Sequence, residues 1–87
     1  MPARSEPLDA LLAIATDLLA QAEAQHRTAT RLEAALRQLS RDIRVARERA
    51  TVTPGVDQVR EQIRVMRELV DAERALLDEL ERELAAT

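Results

Sequence analysis

Glu23 and His26 stand three residues apart in the run Glu23-Ala-Gln-His26. Helical bundles use this spacing to present a carboxylate and an imidazole to a di-iron or di-manganese centre. Such a centre needs several inward carboxylates, and Glu79 and Glu83 are the ones a folded-back chain would bring towards it. Glu23 does not fall on a core position of the repeat described below, so the expectation is a lone surface histidine and no metal. A second candidate chemistry is phosphate binding by Arg27, Arg31, Arg37, Arg41 and Arg44 on the outward face of the same helix. With no aromatic to stack on a base, no groove-reading motif and a net charge of −3, no nucleic-acid partner is expected. Ser5 and Ser40 are the only serines, neither is placed beside a histidine, and there is no cysteine. Nucleophilic catalysis has no support, so the chain is expected to be neither an enzyme nor a cofactor carrier.

The elements that would position these groups are two helices. The only glycine, Gly55, follows Pro54, the only proline beyond residue 7, and on either side the apolar residues repeat with helical spacing. The fold expected is all-α: an antiparallel two-helix hairpin (coiled coil) forming a single domain over residues 1–87. The first helix covers about 6–50, the turn 51–55 and the second helix about 54–85, so the first is the longer. Ser5 is the expected N-cap of the first helix, with Pro7 in its first turn. Thr53 is the expected cap of the second, with Pro54 at its first position.

The first helix carries a regular heptad. One set of expected core positions is Leu8, Ala15, Ala22, Ala29, Leu36, Ile43 and Ala50; the other is Leu11, Leu18, Gln25, Leu32, Leu39 and Ala46. The second helix would contribute Val56, Val59, Ile63, Met66, Val70, Glu73, Leu77, Leu80 and Leu84. The heptad phase runs through His26-Arg27-Thr28-Ala29-Thr30 without a skip, which favours a continuous helix there, although Thr30 and Glu33 have capping-box spacing.

Charge is unevenly spread: residues 27–50 hold seven Arg against three acids, and residues 51–87 five Arg against nine acids. Folding at residues 51–55 would lay the basic segment beside the acidic one. The most apolar stretch, Leu8 to Ala22, contains Asp9 and Asp17, so no membrane span is expected. No basic segment precedes it as a signal peptide requires, and the absence of cysteine fits a reducing compartment, so a cytoplasmic location is expected.

A tight turn would bring residue 39 near 68 and residue 22 near 84, leaving the first helix to overhang by about fifteen residues, roughly 20 Å. Leu12 and Leu19 would flank the seam on one side, and Ile14, Ala35, Leu69 and Leu76 on the other. That is more apolar surface than two helices need, and it makes Leu12, Ile14, Leu19, Ala35, Leu69 and Leu76 the candidates for contact with a protein partner or a second copy.

The block Thr30-Arg31-Leu32-Glu33-Ala34-Ala35-Leu36-Arg37-Gln38-Leu39-Ser40-Arg41-Asp42-Ile43 resembles the first-helix signature of the E component of type III secretion needle assembly, the YscE/PscE-like co-chaperones. The shared pattern is Leu-Glu-x-Ala-Leu-x-x-Leu-x-x-Asp followed by an apolar residue, and the similarity spans about residues 25–80. Val59 stands where family members tend to carry an aromatic, and residues 1–20 extend beyond the compact members. The resemblance implies a cytoplasmic hairpin that binds a helical-repeat chaperone and, with it, keeps the needle subunit from polymerising. The alternatives are a homodimeric four-helix-bundle scaffold or adaptor, and a needle-like subunit itself.

Overall fold

The computed structural model describes residues 2–49 and 54–86, with side chains from Glu6 onward. Two α-helices pack antiparallel: α1, Pro2–Glu48, and α2, Asp57–Ala86. The molecule measures 71 × 15 × 14 Å. At 1.5 Å per residue α1 alone is about 70 Å long, so α2 lies wholly within its span.

α1 starts before the expected cap at Ser5. Pro7 is inside the helix, in its second turn, where it forfeits one backbone hydrogen bond and its ring crowds the carbonyl one turn back. The helix is continuous through residues 26–30. Thr30 caps nothing: its hydroxyl donates back to the His26 carbonyl at 3.0 Å, as Thr16 does to Leu12 at 2.8 Å. Thr51, Val52 and the cap expected at Thr53 lie outside the described residues. Pro54 is not the first residue of α2, which begins at Asp57; its first backbone bond runs from the Arg60 N–H to the Val56 carbonyl (3.0 Å).

The segment before α2 lies against α1. The Gly55 N–H donates to Asp42 Oδ2 at 3.4 Å, while Gln38 Nε2 donates to Asp42 Oδ1 at 2.9 Å. At residue 55 the chain is thus already running back beside α1, several residues short of its end. Residues 54–56 therefore lie beside α1, and the register differs from that of a tight reversal at 51–55. Asp17, Ala20 and Gln21 share a groove with Ala72, Ala75 and Leu76, so residue 21 lies level with about residue 72, not with residue 85. α2 extends ten residues past Leu76 and ends level with about Pro7. The expected overhang of α1 is therefore absent. Covering Leu11, Ile14 and Leu18 gains more, at about 25 cal/mol per Å² of apolar surface, than a few extra connecting residues cost.

The seam follows strict three–four spacing. On α1 the buried or half-buried columns are Leu11, Leu18, Gln25, Leu32, Leu39, Ala46 and Ile14, Gln21, Thr28, Ala35, Asp42. On α2 they are Val59, Met66, Glu73, Leu80 and Gln62, Leu69, Leu76, Glu83. One column of each helix is the expected one. The other is displaced by one position: Ile14 and Ala35, expected on the flank, are core at 4% and 6% exposure, and the column Leu8 to Ile43 is on the surface.

Candidate protein-binding surface

Each helix carries a third apolar column beside the seam. On α1 it is Leu8, Ala15, Ala22, Ala29, Leu36 and Ile43; on α2 it is Val56, Ile63, Val70, Leu77 and Leu84. All are exposed except Val70, which is half-buried. Both columns lie on one side of the hairpin. On the opposite side, Asp17 flanks the Ile14–Gln21 column and Ala72 flanks the Leu69–Leu76 column, and these residues line the shared groove. The third columns sit across the seam from that groove on both helices, so together they form one face.

The register sets their levels: Ala15 beside Leu77, Ala22 beside Val70, Ala29 beside Ile63. Leu12 and Leu19, each 67% exposed, border this face on the outer edge of α1. The other sequence candidates are placed elsewhere. Ile14 and Ala35 are in the core, and Leu69 and Leu76 are half-buried in the seam. Only Leu12 and Leu19 of the six are open to a partner. The residues that make up most of the face were missed because their apolar character assigned them to the core.

The seam that the hairpin uses is the more polar choice. It takes in Gln21, Gln25, Thr28, Asp42, Gln62, Glu73 and Glu83, while leucine, isoleucine and valine remain outside. Gln21 Oε1 and Gln25 Nε2 are buried without a hydrogen-bond partner. Rotating each helix by roughly 50° would bring its third column into the seam in place of the partly polar one. Helices that serve two neighbours keep both stripes, as in a bundle.

The remaining chemistry is peripheral. His26 is exposed, and the register puts Glu79 and Glu83 level with residues 14 and 10, more than about 15 Å along the rod from it. Among the described residues no three His, Cys, Asp or Glu side chains are grouped to hold a metal ion. Arg37 donates to Glu33 at 2.5 Å, and Arg64 pairs with Glu68 at 2.7 Å and with Glu61. The hydrogen bond from Arg64 holds the Glu61 carboxyl below its ordinary pKa, and Arg64 is raised in return. No helix among the described residues is long and apolar enough to cross a membrane.

Comparison with protein-family models, with curated proteins and with solved structures finds no match. The arrangement is that of an elongated helical hairpin with exposed hydrophobic residues, which points to a protein partner or to self-association.

Proposed function

We propose that the chain is a non-enzymatic, protein-binding helical hairpin that takes up partner helices along the face of Ile63, Val70 and Leu77 on α2 and Ala15, Ala22 and Ala29 on α1. The observation that carries it is the choice of seam: both helices bury a partly polar column and leave a fully apolar one outside. Contiguous apolar surface of this kind marks an interaction site. On the resemblance at residues 30–43, the partner is a helical-repeat chaperone acting with a needle subunit in the cytoplasm. The hairpin's work is then steric, covering apolar helix faces that would otherwise polymerise. The rival function, a homodimeric four-helix-bundle scaffold or adaptor, is favoured by the presence of an apolar column on both helices of one face.

Affinity capture of the tagged chain from its host, with mass spectrometry, tests the co-chaperone role. Recovery of a helical-repeat chaperone and a small needle-like subunit by the wild type, lost with Ile63→Glu and Leu77→Glu together, is the expected result. Recovery of the chain alone would transfer the function to the homodimeric scaffold.

A further inference from the structure

We infer that the occupant of this face in the isolated protein is a second copy of the chain, laid antiparallel on the first about a two-fold axis. The axis lies in the interface, perpendicular to the rod, and passes at the level of Ala22 and Val70. This rests on the reading of the face as protein-binding and names what covers it.

Charge is the first ground. The observed register does not lay a basic segment beside an acidic one, as a tight turn would. It segregates charge along the rod. Residues 6–26 of α1 and 68–86 of α2, which lie side by side, hold eleven acids against two Arg. Residues 27–49 and 54–67, at the other end, hold ten Arg against five acids. The sign changes at residue 26 on α1 and residue 67 on α2, at one level of the rod. A second copy with its two-fold axis parallel to the rod would stack acidic half on acidic half. The perpendicular axis stacks each acidic half on a basic one, which is the arrangement that steers and fixes association.

Symmetry of the columns is the second ground. About Ala22, the α1 column pairs Ala15 with Ala29 and Leu8 with Leu36 of the other copy. About Val70, the α2 column pairs Ile63 with Leu77 and Val56 with Leu84. Ala22 and Val70 are level in one hairpin, so a single axis satisfies both helices. The three alanines allow α1 to approach its symmetry mate closely, and Leu12 and Leu19 come level with the mate's Ala29–Leu36 and Ala22–Ala29 stretches.

The area is the third ground. The overlap of columns runs about 42 Å, and two helices set 8–10 Å apart present a strip about 20 Å wide, so each copy buries on the order of 800 Å². That is the size of a stable specific interface.

The absence of cysteine makes the test direct. Light scattering on the purified chain should give twice the 9.7 kDa chain mass, with a dissociation constant that rises about tenfold between 0.05 and 0.5 M NaCl. Ala22→Cys alone and Val70→Cys alone should each oxidise to a disulfide-linked dimer, because each position meets itself at the axis. Ala15→Cys should do so only when mixed with Ala29→Cys. Circular dichroism confirms that each variant remains helical. A mixed Ala22→Cys with Val70→Cys product, with neither variant linking to itself, overturns the arrangement, and so does a dissociation constant indifferent to salt. A monomer at every concentration overturns the second-copy assignment but leaves the protein-binding face standing. That reading falls only when Ile63→Glu with Leu77→Glu changes neither oligomeric state nor partner capture.

Discussion

Ile14→Ala and Leu12→Ala differ by two residues and by the whole thickness of the helix, and comparing them tests the seam. Ile14 is 4% exposed. Its truncation removes three buried carbons, about 2.4 kcal/mol at about 0.8 kcal/mol each, and the residual gap adds a few tenths. Alanine's better helix propensity returns about 0.4 kcal/mol. The net expectation is a loss of about 2.5 kcal/mol. Leu12 is 67% exposed, so Leu12→Ala should fall within about 0.5 kcal/mol of wild type in the separated hairpin. The assay is urea unfolding followed by circular dichroism, at concentrations where the midpoint no longer depends on protein. With a slope of roughly 1 kcal/mol per molar urea for so small a chain, Ile14→Ala should lower the midpoint by about 2.5 M. Equal effects, or a larger loss at Leu12, would refute both the register and the rotation of α1.

Other expectations follow from single contacts. Gln21→Leu with Gln25→Leu removes two buried unpartnered polar atoms and should raise the melting free energy by about 1–2 kcal/mol; a loss in the same thermal melt would show that both amides are satisfied. Asp42→Ala frees Gly55 and should cost about 1 kcal/mol in urea unfolding. Gly55→Ala should instead stabilise by about 0.4–1 kcal/mol, since no glycine among the described residues has a positive φ and an added Cβ would meet Asp42 at an ordinary 3.8 Å. Because Glu61 is held below its ordinary pKa, its contribution is present above the ordinary carboxylate range and lost as pH falls through the depressed value. Glu61→Gln should remove that part of the acid limb of a stability–pH profile.

The hairpin itself was legible because Leu11, Leu18, Leu32 and Leu39, with Val59, Met66 and Leu80, repeat without interruption. What the residues alone misplace is the second column. Three adjacent columns of α1 carry apolar residues, a two-helix seam needs two, and counting favours Leu8, Ala15 and Ala22 over Ile14, Gln21 and Thr28. Packing decides otherwise, so most of the exposed face was hidden among the core assignments. The register was misread for a different reason. Pro54-Gly55 has the composition of a turn, yet Gly55 lies beside Asp42 of α1, and no local pattern signals a contact across thirteen positions. Leu12 and Leu19 were correctly read as exposed because they belong to neither seam column.

The polar residues in the seam bear on how often the hairpin opens. Among the described apolar side chains only Ile14, Ala35 and Val59 are buried, and the hairpin's largest apolar reserve lies on the face left open. Covering that face with a partner adds to the stability of the closed hairpin. A covered chain should therefore open less often than an uncovered one and resist proteolysis better, which limited proteolysis of the two forms would read.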